Sequence, residues 1–470
     1  MTLQRKKMVI LTGYIMGESY GLLGPQLAAT IIQEHSPYDC IVAAVTREDD
    51  KKLLKQYLAD FFGREKPLIA FSYLGGREDL YRFAKELKDE GALTILAGPQ
   101  SDLDYLGEDA WQDHPHRFQG LSEFFSVACH GPAEQILPFL KVSSGKNRQY
   151  SAGMLWRNKK GAFFQKSRSP WNPVFLKKVL WNNLYRVGEN DFCPHKITTA
   201  QVLWHIGCPY AASITPWEID YPSFLATGGK KTVKIPLRGC SFCDVGADKG
   251  FFGALNSETL LHQIRGLPEK EDGRKIPFEL INENALSGLY PLLQSIISKK
   301  IPISQINLTL RADWFIRSEA RLRKVLKIAK DMEIRILLAS VGFESFDSTI
   351  LANLHKGVDT VVNLKAIRLM REMKHEFPEQ WGYSKSEGAV HGFIHPTPWD
   401  TYETEMNNRK IILLYGLSLD ILPEYSVPLI IHHGSALGNW VREIETRETI
   451  QFKREGTIIG WWQAGDRFVL

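Results

Sequence analysis

The chain has few cysteines: six in 470 residues, unevenly spaced, too few and too scattered for a disulfide framework. They are left as buried thiols or metal ligands. Long apolar runs are missing too. A stretch such as Val427 to Ile431 falls far short of the roughly 20 residues that span a bilayer. There is no excess of proline or glycine and no block of like charge, which excludes a disordered tail. The net charge of +5 comes from Lys and Arg interspersed with Asp and Glu rather than gathered between aromatics. Nucleic-acid binding is therefore not indicated. No internal repeat or low-complexity tract is visible. The opening Met1-Thr-Leu-Gln-Arg-Lys-Lys-Met-Val-Ile10 runs straight into a strand-like segment without a signal-peptide core, so a cytoplasmic location is expected.

What the chain does have is an ordinary globular composition, 44% apolar and 24% charged. Its length calls for two domains with appendages. In the first part, short β-rich runs (Met8 to Leu11, Cys40 to Val45, Leu68 to Ser72, Leu93 to Ala97, Phe125 to Cys129) alternate with helical-period stretches such as Leu53 to Phe62 and Leu80 to Glu90. That alternation predicts an α/β domain over 1–141 built on a doubly wound parallel sheet. Ligands of such sheets sit beyond the carboxyl ends of the strands. Four small or glycine-bearing segments fall there: Thr12-Gly13, Ser72-Tyr-Leu-Gly75-Gly76, Ala97-Gly98-Pro99-Gln100 and His130-Gly131-Pro132. Any one of these glycines serves as a plain turn; four in phase point to a ligand face.

Residues 142–231, rich in Lys, Pro and aromatics (Trp171, Trp181, Trp204, Trp217), read as a connector. Alternation then resumes over 232–425. Strands are expected at Val233 to Leu237, Phe278 to Ile281, Gln305 to Leu310, Ile334 to Ser340, Ala389 to Ile394 and Leu417 to Leu422, with amphipathic helices such as Leu322 to Met332 and Val361 to Met373 between them. Six β/α units predict a partial (β/α)6 TIM-type barrel with its site at the carboxyl ends of the strands. A C-terminal extension covers 426–470, and its Ile459-Gly-Trp-Trp-Gln463 reads either as packing between domains, the default, or as shaping a pocket.

Directly after the first of these strands stands Arg238-Gly-Cys-Ser-Phe-Cys-Asp244. Two thiols two residues apart suit a metal centre, yet a half zinc site, a redox pair and buried cysteines all fit the same spacing. Arg311-Ala-Asp313 likewise reads either as a ligand site or as a salt bridge on the rim. His391, His395, His432 and His433, near expected strand ends, read as hydrogen-bonded scaffold residues.

These segments occur in a recognisable order. Arg238-Gly-Cys-Ser-Phe-Cys-Asp244, Phe278-Glu-Leu-Ile-Asn-Glu-Asn284, Leu310-Arg-Ala-Asp313, Ser340-Val-Gly-Phe-Glu-Ser-Phe-Asp347, Leu354-His-Lys-Gly357 and Gly392-Phe-Ile-His-Pro-Thr-Pro-Trp-Asp-Thr401 together resemble the radical S-adenosylmethionine superfamily. Met8 to Leu140, with Phe71-Ser72, Ala97-Gly98-Pro99 and Gly131-Pro-Ala-Glu134, is similar to the Rossmann-like cobalamin-binding domain of its B12-dependent branch. The resemblance implies three cofactors: a [4Fe-4S] cluster, S-adenosylmethionine and cobalamin. It implies Cys240 and Cys243 as cluster ligands with Phe242 beside the cofactor, Asn282 and Glu283 at the cofactor's amino group, Arg311 at its carboxylate and Glu344 at its ribose. It places cobalamin against Thr12, Gly13, Ser72, Gly75, Gly98, Pro99, Gly131 and Glu134. The Asp-x-His-x-x-Gly motif of histidine-ligated cobalamin is absent, although His130 lies beside the proposed face. The family's spacing puts a first cluster cysteine at position 236, where this chain has Pro236. Cys208 is the first substitute and Cys193 the second.

The activity the resemblance implies is radical functionalisation, chiefly methylation, of an unactivated carbon in an unknown substrate. Electrons would come from an external donor such as a ferredoxin or flavodoxin. A cyclase or rearrangement enzyme of the same build is the alternative within the class. A degenerate, non-catalytic accessory protein, its cluster lost with the cysteine at 236, is the alternative outside it.

Overall fold

A computed structural model of the chain describes residues 5–72, 76–98, 123–129, 131–142, 153–157, 163–165, 170–226, 229, 231–243, 251–421, 426–432, 434–453 and 458–461. The fold is α/β. It divides into two compact units, one over 1–200 with 455–458 and the other over 201–454 with 459–470.

The first unit is built on a nine-stranded mixed sheet of order β7-β6-β5-β4-β3-β1-β2-β8-β9. Strands β1 (Lys6–Gly13), β2 (Tyr38–Val45), β3 (Leu68–Ser72), β4 (Leu93–Ala97) and β5 (Val127–Cys129) are mutually parallel. Their near-continuous apolar runs suit strands covered on both faces, and β3 is buried at all five positions. Helix α1 (Leu23–His35) follows β1. Helix α2 (Lys51–Phe62) begins where the Asp50 side chain accepts from Lys52 N, and it buries Leu54, Tyr57, Leu58 and Phe62 at helical spacing. Helix α3 (Glu78–Asp89) opens on two acidic residues that suit the positive end of its dipole and buries Leu80, Tyr81, Phe83, Ala84 and Leu87.

The remaining strands of this sheet come from residues read above as a connector: β6 (Met154–Arg157), β7 (Phe163–Gln165), β8 (Leu184–Val187) and β9 (Phe192–Pro194). β6 and β7 run antiparallel at one edge, while β8 pairs parallel with β2 and carries β9 antiparallel at the other. The segment before β8 is tied to α1, where Asn183 Nδ2 donates to Gln26 O at 3.1 Å and Leu180 N to Thr30 Oγ1 at 2.9 Å.

In the second unit a five-stranded sheet has the order β10-β15-β16-β17-β18, with β10 at Ala200–Leu203, β15 at Phe278–Ile281, β16 at Gln305–Leu310, β17 at Arg335–Val341 and β18 at Trp381–Gly382. The last four are parallel, with helices Leu289–Ser298, Glu319–Asp331 and Thr360–Glu376 between them. After β10 the chain runs through β11 (His205–Gly207), β12 (Ile214–Asp220), β13 (Thr232–Arg238) and β14 (Phe251–Ala254).

Three expectations change here. Val233 to Leu237 does form a strand, but β13 pairs antiparallel with β12, and β10 takes the place beside β15. The reason lies in its alternation: Val233, Ile235 and Leu237 are buried while Lys234 and Pro236 are exposed, the pattern of a two-faced antiparallel strand. Ala389 to Ile394 is not a strand; Phe393 bridges Glu344 and Ile394 bridges Val427 singly. The prolines at 396 and 398 withhold the donors a longer ladder needs. Leu417 to Ile421 is a turn, with Asp420 N and Ile421 N both donating to Leu417 O. The hydrogen-bonded sheet is accordingly an open one of five strands.

Candidate functional site

Three adjacent parallel strands of the second unit end in the residues singled out from sequence: β15 leads to Asn282 and Glu283, β16 to Arg311, and β17 to Glu344. β10 delivers a fourth segment. Trp204 N donates to Ile281 O at 3.3 Å, and the Trp204 ring lies where a Cβ on Gly288 would be 2.7 Å from it. This anchors the start of His205-Ile-Gly-Cys208 to the end of β15.

The cysteine turn is fixed at several points. Gly239 has φ +65° and lies close to Ala211, so the left-handed turn into Cys240 suits glycine. Cys243 N donates to Cys240 O at 3.2 Å. Between the two, fully buried Ser241 donates its N–H to Leu354 O at 3.0 Å and its hydroxyl to Asn353 O at 2.8 Å, while its carbonyl accepts from Leu437 N at 2.9 Å.

Cys208 stands in the same field. Burial pushes its thiol pKa up to about 12, with Glu283, Cys240 and Cys243 adding to the rise against the Tyr210 N–H. Pro236 lies within β13 opposite Pro216, on the exposed side of the strand. Cys193 belongs to the other unit, on β9, where its sulfur faces Gly188 and Asp191 O. Cys40 and Cys129 are buried in the first unit, and burial raises both thiols, Cys129 to about 12. Among the described residues no three His, Cys, Asp or Glu side chains are grouped to hold one metal ion. A single zinc ion draws its thiolates to within about 4 Å of one another at Zn–S near 2.3 Å, whereas an iron-sulfur cluster spreads them over separate irons.

Around the cysteines the structure assembles groups that sequence reasoning left without a role. Leu354-His-Lys-Gly357, the loop after helix Ser348–Asn353, is the hub. His355, at φ +48°, donates Nδ1–H to Gly239 O at 2.7 Å and accepts at its carbonyl from Tyr210 Oη at 3.1 Å. Lys356 is 6% exposed; its Nζ donates to Glu344 Oε1 at 2.7 Å and its carbonyl accepts from Arg311 Nη2 at 2.5 Å. Burial works against the Lys356 ammonium, but Glu344 and Cys240 outweigh it and hold its pKa above the ordinary lysine value. Glu344 itself has φ +61°. Two non-glycine residues in left-handed conformations, costing on the order of 1–3 kcal/mol each, flank one site. Gly342 makes room for the ion pair, since a Cβ there would lie 2.5 Å from Lys356 Nζ.

Arg311 is engaged within the protein. It stacks on Tyr210 with Cζ 3.8 Å from the ring centroid, pairs Nε with Asp313 Oδ1 at 3.1 Å, and points Nη1 at Cys240 Sγ at 3.6 Å. The rim salt bridge read as one alternative for Arg311 and Asp313 is therefore present. Phe242 lies under Lys356, whose Nζ is 5.9 Å from its ring centroid.

The end of β15 differs: its polar atoms are buried and idle. Asn282, 3% exposed, accepts from Asn284 N through Oδ1, but its Nδ2 has no partner, nor has Glu283 Oε2. Burial, and secondarily Glu279, raises the Glu283 pKa. A stranded donor beside a stranded acceptor invites a ligand carrying both complements.

Gly357 offers a simple test of this packing. It has φ +67°, and a Cβ would lie 2.5 Å from Tyr210 Oη. Gly357→Ala is expected to lower stability by more than about 1 kcal/mol in urea unfolding; unchanged stability would contradict the contact.

In the first unit the strand ends share one level. Thr12 is opposite Ser72, Ser72 opposite Ala97, and Ala97 opposite Cys129. The order β3-β1-β2 puts the topological switch between β1 and β3, beside Thr12 and Gly13. Thr12 Oγ1 and Glu134 Oε2 are buried without partners, and burial raises the Glu134 pKa. Glu134 Oε1 accepts from Asn172 N at 3.1 Å. Gly98 and Gly131 are exposed at positive φ. Gly75, Pro99, His130, Asp244 and His433 lie outside the described residues. His391 is a scaffold residue, accepting from Val341 N and bonded to Tyr383 O. No helix among the described residues is long and apolar enough to cross a membrane.

Neither a family model nor a curated protein matches the chain. A solved structure, pyridoxal kinase from Lactobacillus plantarum, aligns at 13% identity over 36% of this chain and 74% of its own, with a TM-score of 0.17, a likeness too slight to bear on fold or activity.

Proposed function

We propose that this chain is a cobalamin-binding radical S-adenosylmethionine enzyme that methylates an unactivated carbon. Its second unit would be a partial barrel holding a [4Fe-4S] cluster on Cys208, Cys240 and Cys243, and its first unit would hold cobalamin. The observation that supports this reading is the packing of the Cys208 segment, 32 residues upstream of Cys240, on the cysteine turn: Ala211 N donates to Cys208 O at 2.9 Å, and a Cβ on Gly239 would lie 3.2 Å from Ala211 Cβ. It offers a third thiol from elsewhere in the chain where Pro236 supplies none, which favours this reading over the degenerate, accessory one. When bound, these groups would supply one-electron radical chemistry and a transferable methyl group.

The chain's own residues bind and orient. Glu283 Oε2 would accept from the cofactor's ammonium, a charge-assisted bond in a nearly dry setting, and Asn282 Nδ2 would donate to the neighbouring carboxylate. Glu344, held through Oε1 by Lys356, would offer its other carboxylate oxygen to a ribose hydroxyl. Phe242 would lie beside the cofactor. In the first unit the unpartnered Thr12 Oγ1 and Glu134 Oε2 would serve the cobalamin, and Gly13, Ser72 and Gly98 at the strand ends would let a large planar ligand approach the backbone. The thiols imply a reducing, cytoplasmic setting, and the chemistry needs an external one-electron donor such as a ferredoxin or flavodoxin.

Anaerobic reconstitution of two single variants tests the assignment. Cys208→Ala is expected to lose most of its bound iron while Cys193→Ala keeps the wild-type amount. Equal retention by both would remove Cys208 from the site.

A further inference from the structure

We propose that Arg311 is a positioning residue acting through Cys240, donating an N–H···S bond that stabilises the reduced state of the cluster. This inference rests on the cluster reading above and departs from the sequence expectation that Arg311 serves the cofactor's carboxylate. Arg311 is 5% exposed, and its guanidinium is held at several points. Nε is taken by Asp313, which Arg317 holds in turn; Nη2 is taken by Lys356 O; one face lies on Tyr210. Nη1 is thereby aimed at Cys240 Sγ, 3.6 Å away. The packing that fixes this aim is itself specified, because Tyr210 fits under Arg311 only while residue 357 lacks a Cβ.

A cation and a fixed N–H donor beside a sulfur that ligates a cluster would favour the state with one more electron. Hydrogen bonds to ligand sulfurs are among the means by which proteins set cluster potentials. The fork geometry matters as well as the charge: lysine at 311 would keep the charge but could not bond Asp313, Lys356 O and the sulfur from one plane.

The test uses full-length wild type, R311K and R311M, reconstituted anaerobically and titrated potentiometrically with electron paramagnetic resonance as the readout. Iron content and circular dichroism confirm equal loading and folding. Relative to wild type, R311M is expected to show about a tenfold smaller ratio of reduced to oxidised cluster at a fixed potential, a downward midpoint shift of about 59 mV for one electron, and R311K a smaller shift in the same direction. A midpoint equal to wild type in a fully loaded R311M overturns the inference and leaves the cluster reading standing. If R311M does not fold, an unshifted midpoint in R311K overturns it as well. Absence of iron from reconstituted wild type overturns the cluster reading, and this inference with it.

Discussion

Cys240→Ala and Cys243→Ala are each expected to reduce the iron retained after anaerobic reconstitution from about four per chain to near zero. The size of the effect follows from the ligand count. With Pro236 where the family has a cysteine, the chain has no spare thiol at this turn, so removing either residue would leave the proposed cluster two protein ligands. The scaffold should survive the change. The turn is held by Ser241 through Leu354, Asn353 and Leu437, none of which touches a cysteine side chain in making those bonds. Circular dichroism and the unfolding midpoint are therefore expected to stay close to wild type. Full iron in both variants would contradict the assignment of the turn.

Lys356→Met is expected to have the largest effect on stability. The lysine and Glu344 are both largely buried, with side-chain exposures of 7% and 14%, and Nζ and Oε1 are 2.7 Å apart. Removing one partner of such a pair leaves a carboxylate in a dry setting, which costs about 3–5 kcal/mol. Glu344→Gln/Lys356→Met, which removes both charges, should recover a good part of that loss, and the coupling is read from the double-mutant cycle. The pH dependence has a definite sign. The folded pKa of Lys356 is raised above 10.5, so the contribution of the pair is fully present below that pH. It is lost only as pH rises through the higher folded value. Urea unfolding at pH 7 and above pH 10.5 checks both parts; a Lys356→Met variant as stable as wild type at pH 7 would contradict them.

The sequence disclosed the two units unequally. β1 to β4 were legible because buried parallel strands are continuous apolar runs between turn residues. β6 to β9 were not, since strands of three or four residues at a sheet's edges leave little periodic signal among the Trp, Pro and Lys of that stretch. β10, Ala-Gln-Val-Leu, is as short, and missing it hid the reason Cys208 reaches the cysteine turn. Val233-Lys-Ile-Pro-Leu237 did carry its signal: strict alternation marks a strand with one wet face, which a barrel's first strand is not.

At the site, residue type and strand-end position picked out Asn282, Glu283, Arg311 and Glu344. They could not reveal that Arg311 and Glu344 are engaged by Cys240 and Lys356 while Asn282 and Glu283 keep idle atoms. That distinction depends on three-dimensional neighbours. Lys356 and His355 were present in Leu354-His-Lys-Gly357, but a lone lysine in a loop has no spacing to betray that it will be buried. The left-handed backbone of His355 and Glu344 is likewise invisible until the chain folds.

The most direct measurement is the iron and sulfide content of the anaerobically reconstituted wild-type protein, with electron paramagnetic resonance of the reduced sample before and after S-adenosylmethionine. About four irons and four sulfides per chain, with a signal that changes on adding the cofactor, is the predicted result. A protein that binds no iron, or whose cluster signal is indifferent to S-adenosylmethionine, would contradict it.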